Sequence, residues 1–184
     1  MIWPQARRVR AVSSADAMQD DMPPVPFDWR RASGADVFEL AALYRDCALR
    51  LGPVVYTQEQ ARAWASFADD LPGFRDYVLT NAQTWIAERP GDARVLGFCG
   101  ASGDGELREV HSLYVTPALC RQGVGGQMLR RTLERAEADG AKRFAAWVTP
   151  FSRPVFLANG FELTQTLSAP FAGMMFERYR VERG

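Results

Sequence analysis

Histidine is almost missing from this chain, with His111 the single one, and the three cysteines, Cys47, Cys99 and Cys120, show no Cys-x-x-Cys spacing. A structural zinc site usually takes four nitrogen or sulfur ligands, so no metal is implied. An odd number of scattered cysteines also argues against a disulfide framework and reads as a reducing, cytoplasmic setting. No apolar run approaches the roughly 20 residues that span a bilayer, so no membrane partner is expected. Net charge is lacking too: 22 basic residues stand against 22 acidic ones. Without an overall field to steer the protein onto a polyanion, nucleic acid is not expected as a partner. No internal repeat is present.

What is present fits one ordinary globular domain of 184 residues, 47% hydrophobic and 24% charged. Residues 1–26 read as a flexible N-terminal extension. They carry Arg7, Arg8 and Arg10, no acid before Asp16, and none of the apolar middle of a secretory signal. A mitochondrial transit sequence is the competing reading. Pro23, Pro24 and Pro26 close the extension, which places the domain at 27–184.

Periodicity then yields the elements. Phe27 to Ala32 reads as a strand, Ser33 as a helix cap, and Asp36 to Leu51 as a helix with Val37, Leu40, Ala41, Tyr44 and Cys47 at helical spacing. Gly52 and Pro53 stop it, Thr57 caps a second helix through Phe67, and a short helical piece is expected over Gly73 to Asn81. Strands follow at Thr84 to Glu88, Arg94 to Ala101 and Leu107 to Val115, with hairpin turns at Pro90-Gly91-Asp92 and Gly103-Asp104-Gly105. Then come a helix over Val124 to Asp139, a strand at Phe144 to Val148, a short helix over Pro150 to Asn159, and strands at Phe161 to Leu167 and Met174 to Val181.

Chemistry concentrates where the third of those strands runs through Arg121-Gln122-Gly123-Val124-Gly125-Gly126 into a helix. Backbone amides at a helix start face outward and favour anions, and small residues let a diphosphate come close. Two nucleotide motifs fail here. No Lys-Ser/Thr follows the glycines as a P-loop requires, and Gly123-Val124-Gly125-Gly126-Gln127-Met128 lacks the third glycine of a dinucleotide fingerprint.

Leu113-Tyr114-Val115-Thr116-Pro117, the spacer, the glycine loop and the amphipathic helix together resemble motif A of the Gcn5-related N-acetyltransferases (GNAT). Ser152-Arg153-Pro154-Val155-Phe156-Leu157-Ala158-Asn159-Gly160-Phe161 is similar to the family's second motif, and Arg30 to Asp36 to its opening strand and cap. The likeness runs from about Phe27 to Val181. It implies an α/β fold of three layers: a mixed, mostly antiparallel central sheet flanked by helices, with a splayed strand pair that binds acyl-CoA. It implies acetyl-CoA as cosubstrate, direct transfer to a primary amine on a small molecule or protein, and homodimers through late strands.

By the same resemblance, the backbones of Leu113, Tyr114 and Val115 hold the pantetheine arm. Arg121, Gln122, Gly123, Val124, Gly125 and Gly126 hold the diphosphate. Glu109, 14 places before Gly123, matches the register of the glutamate base, and His111 is a relay that shares its face if no bulge intervenes. Two places depart from the pattern: Cys120 stands where the loop usually opens with Arg or Gln, and Phe156 where a tyrosine acid is frequent. Tyr114 and Ser152 are the nearest replacements for that acid. A degenerate acyl-CoA sensor is the alternative function. Trp64, Phe67, Phe74, Tyr77 and Trp85 could line an acceptor pocket or pack the core.

Overall fold

The computed structural model describes residues 25–184, so most of the expected extension, residues 1–24, lies outside the described residues. The strands are β1 (Asp28–Arg31), β2 (Gln83–Glu88), β3 (Val95–Ser102), β4 (Leu107–Val115), β5 (Arg143–Val148), β6 (Glu162–Phe171) and β7 (Met174–Arg183). The helices are α1 (Val37–Leu51), α2 (Gln58–Ala65), α3 (Leu71–Arg75), α4 (Val124–Ala138) and α5 (Arg153–Ala158). One seven-stranded sheet runs in the order β1-β2-β3-β4-β5-β7-β6. All neighbours pair antiparallel except β4 and β5, which are parallel because α4 carries the chain back between them.

Each sheet face buries its own core. On one, α4 contributes Val124, Met128, Leu129 and Leu133, which pack with Phe156 and Phe161 over Val110, Leu113, Val115, Ala146, Val148 and Val181. On the other, α1 contributes Leu40, Ala41 and Tyr44, which join Phe74 and Val78 over Ile86, Phe98 and Tyr114. The result is three layers, helices on both faces of a mostly antiparallel sheet. The expected helix over Gly73 to Asn81 begins earlier, at Leu71, where Asp70 caps Gly73 N–H, and continues as a π-helical turn over Asp76–Thr80.

The start of α1 is braced by a part-buried charge cluster, with the two carboxylates buried and the guanidinium partly in solvent. Ser33 and Asp36 form a capping box ahead of the helix. Asp36 also takes Arg30 through Nη1 and Nη2, at 2.9 and 2.7 Å, and the same guanidinium holds Glu88 Oε1 through Nε at 2.9 Å. The Arg30 hydrogen bonds outweigh burial and hold the Asp36 carboxyl down at about 2, against an ordinary 3.8. A depressed carboxylate stabilises the fold above its unfolded value and loses that contribution as pH falls through the folded one. Asp36→Asn should therefore destabilise the domain by about 1–3 kcal/mol at pH 7. The gap from wild type should close as denaturation is measured from pH 4 down to pH 2.

Candidate active site

A bulge and a fork in β4 shape the site. Ala101 faces Val110 and Gly100 faces Ser112, so His111 is the extra residue, a β-bulge. The ladder between β4 and β5 runs from Leu107↔Arg143 to Val110↔Ala146 and stops there. Both strands continue, so Leu113, Tyr114 and Val115 have no β5 partner while Cys99, Phe98 and Gly97 hold them from the β3 side. A backbone edge left open in the middle of a sheet leaves hydrogen-bonding groups for a ligand. The Val115 carbonyl accepts from the Cys47 thiol at 3.2 Å.

The glycine loop closes the wide end of that fork. Arg121 and Gly123 adopt left-handed φ of 63° and 77°, and Gly123 is the N-cap of α4 with no side-chain cap. Gln127 N–H bonds the Gly123 carbonyl at 3.1 Å. The preceding amides of Val124, Gly125 and Gly126 belong to the first turn, which has no intrahelical acceptors. A Cβ on Gly125 would lie 3.6 Å from Val115 Cγ2, and one on Gly126 would lie 3.4 Å from Arg130 Nη1. The helix start thus sits directly against the open end of β4, and Gly125 and Gly126 bring no side chain of their own to it. That arrangement suits a diphosphate on the amides with its attached chain along β4. Gln122 Nε2 turns back to the Ala118 carbonyl at 2.9 Å. Burial pushes the Cys120 thiol up from its ordinary value, so nothing here makes it a thiolate nucleophile.

On the face covered by α1, α2 and α3 the bulge changes the expected geometry. The bulge breaks the regular alternation between Glu109 and His111, yet both have partners on this face. Glu109 Oε1 accepts from Arg180 Nη1 at 3.0 Å. His111 Nε2 contacts Ser102 Oγ, and its carbonyl accepts from Tyr77 OH at 2.7 Å. Burial lowers the His111 pKa from 6.5, with the Glu109 charge opposing the shift, so the imidazole is neutral at pH 7 and able to accept a proton.

The aromatic residues divide. Tyr114 stacks on Phe98 at 5.0 Å and meets Tyr44 at 4.8 Å, with Trp64 at 6.2 Å, and burial pushes its phenol well up. Phe74 is fully buried, whereas Phe67 and Tyr77 rim the same cluster. Trp85 stacks with Trp29 at 6.1 Å and lies under Arg135 of α4, on the opposite face from the others. Ser152 is engaged in the turn before α5, where its Oγ accepts from Thr149 N–H and its own N–H donates to Thr149 Oγ1, both at 3.1 Å. Phe156 is 2% exposed and packs edge-on against Phe161 at 5.1 Å.

Sequence reasoning passed over two residues on this face, Arg178 and Arg180. They alternate with core residues Tyr179 and Val181 in β7, and the signal was available: two arginines two places apart on a strand, on the side opposite its buried apolar residues. Among the described residues no group of three or more His, Cys, Asp or Glu could hold a metal ion, and no helix is long and apolar enough to cross a membrane.

The profile described as "Acetyltransferase (GNAT) family" matches residues 38–161, well over half of the chain. No curated protein matches significantly. Among solved structures, a GCN5-related N-acetyltransferase from Rhodopseudomonas palustris superposes with a TM-score of 0.80 at 23% identity, over 88% of this chain and 98% of that one. The PaiA N-acetyltransferase from Thermoplasma acidophilum, solved in complex with coenzyme A, gives 0.70 at 16% identity, over 86% and 98%. A phosphinothricin acetyltransferase from Sinorhizobium meliloti, in complex with AcCoA, gives 0.61 at 23% identity, over 85% and 87%. With the fork, the glycine-led helix and the three-layer sheet already in place, the profile match settles the family: this chain belongs to the GNAT acetyltransferases.

Proposed function

We propose that the protein transfers an acetyl group from acetyl-CoA to a primary amine by direct attack. The observation that carries this reading is the meeting of the open β4 edge with the glycine-led first turn of α4. Leu113, Tyr114 and Val115 offer backbone groups to the pantetheine arm, while Gly123 to Gly126, with Arg121 and Gln122 beside them, seat the diphosphate. When bound, acetyl-CoA supplies a thioester carbonyl and a thiolate leaving group.

An alkylammonium of lysine type has a pKa near about 10.4, so the acceptor must give up a proton before it can attack. In this proposal His111 takes it, directly or through water, and Glu109 acts beside it by setting the charge around the imidazole and holding Arg180. The experiment is to titrate acetyl-CoA by calorimetry and follow CoA release across an amine panel. Binding together with release supports the reading, and absence of binding ends it.

Phe156 favours the second reading, an acyl-CoA sensor, because a phenyl ring donates no proton to the leaving group. Thiolates leave readily, however, since a free thiol has a pKa near about 8.5. Phe156→Tyr should therefore raise turnover by about tenfold or less, or about 1.4 kcal/mol of barrier. A wild type that binds acetyl-CoA tightly yet releases no CoA with any amine would select the sensor.

A further inference from the structure

β7 directs two arginines onto the acceptor face, and they are treated differently. Arg180 is neutralised: it meets Glu109 at 3.0 Å and Glu182 at 3.2 Å, and its guanidinium lies 5.6 Å from the Trp147 ring. Arg178 has no carboxylate within ion-pair distance among the described residues. Its Nη2 donates to the Trp147 carbonyl at 3.1 Å, while its Nε is buried with no acceptor. Arg178 as a whole is half-buried, but a buried Nε–H donor left without an acceptor is destabilising, and bracing β5 accounts for one nitrogen of the three.

The surroundings make Arg178 a binding group rather than a stray charge. Trp147 follows Ala146, the last β5 residue paired with β4, so Arg178 stands at the mouth of the fork. Burial keeps the phenols of Tyr44, Tyr56, Tyr77 and Tyr114 neutral at pH 7, with the Arg178 charge opposing the shift only in part, so none of them supplies Arg178 with a counter-charge. Two surface hydrogen bonds tie the α2 region to β7 beside Arg178, from Tyr56 OH to the Glu177 carbonyl at 2.9 Å and from Gln60 Nε2 to the Met175 carbonyl at 2.6 Å. Two residues along a strand span about 7 Å, a short reach from Arg178 to the row of Arg180 and Glu109.

We infer that the acceptor is a small amine bearing a carboxylate or similar oxyanion, of the amino-acid class, and that Arg178 binds that anion. The inference rests on the acetyltransferase reading. A planar guanidinium suits a carboxylate because it can offer two parallel donors.

The test measures kcat/KM by CoA release for amino acids, their carboxamides and the corresponding decarboxylated amines. For the preferred side chain the acid should exceed the amide at least tenfold. Arg178→Gln should bring that ratio toward one, and Arg178→Lys should leave it between the two, with thermal melting confirming that both variants fold. Equal use of acid and amide, or a preference that survives Arg178→Gln, overturns the inference. If no amine releases CoA although acetyl-CoA binds, the enzyme reading fails by itself. Calorimetry of the same acids on CoA-loaded protein then decides the role of Arg178: binding at least tenfold weaker in Arg178→Gln sustains it, and no binding by any acid overturns it.

Discussion

Gly125→Asp should weaken acetyl-CoA binding by a hundredfold or more while leaving the domain folded and slightly more stable. The two halves of this expectation have different causes. Gly125 is the second residue of α4, its φ is not in the left-handed region, and a Cβ there would make ordinary contact with Val115 Cγ2 at 3.6 Å. Nothing in the fold therefore requires glycine at 125. A side chain removes backbone entropy from the unfolded chain, and a carboxylate in the first turn interacts favourably with the helix dipole, by about 0.3–1 kcal/mol.

The ligand meets the opposite sign. A carboxylate over the α4 amides satisfies the donors proposed for the diphosphate and repels its charge at short range. Gly125→Ala separates bulk from charge and should fall between wild type and Asp. Calorimetry on each variant, with thermal melting alongside, makes the check. Equal affinity in a folded Gly125→Asp protein would remove the diphosphate from this loop. Gly123 is unsuited to the same experiment, because its φ of 77° makes any side chain a strain on the cap itself.

Different parts of the molecule were legible in the sequence for different reasons. Local signals carried the elements. Thr57 and Gln60 form the capping box that ends in α2, Gly103 and Gly105 take positive φ in the turn before β4, and Leu107–Val115 begins and ends as the alternation indicated. The turn into α4 was legible at Gly123, whose left-handed φ of 77° is a backbone requirement written into residue type. The bulge at His111 was not, since it depends on how Gly100 and Ala101 pair across the sheet and leaves no mark in β4 alone. Long-range partners were hidden likewise. Glu109 meets Arg180 across 71 positions, and Trp85 turns to the α4 face through a register that only the β1–β2 ladder reveals. Phe156 was recognised as a departure, but its packing on Phe161 is a tertiary fact.

His111→Gln should lower kcat/KM by about a hundredfold, the lower end of what a positioned general base contributes, with acetyl-CoA affinity near wild type. Glu109→Gln should lower turnover less and act mainly through pH. In the wild type the acid limb of kcat/KM should fall below the ordinary histidine value of 6.5, because burial disfavours the imidazolium. Glu109 opposes that shift, so removing its charge lowers the imidazole pKa further and moves the limb to lower pH. The same substitution also frees Arg180 from one of its two carboxylates, and the added positive field moves His111 in the same direction. Were Glu109 itself the proton acceptor, Glu109→Gln would remove the larger share of activity, with the greatest loss at low pH, where the amine most needs a base. In that case His111→Gln would leave the acid limb in place. The pH-rate profiles of the two variants, read against wild type with one amine, assign the base: loss of the limb in His111→Gln and its displacement in Glu109→Gln are the pair of results expected here.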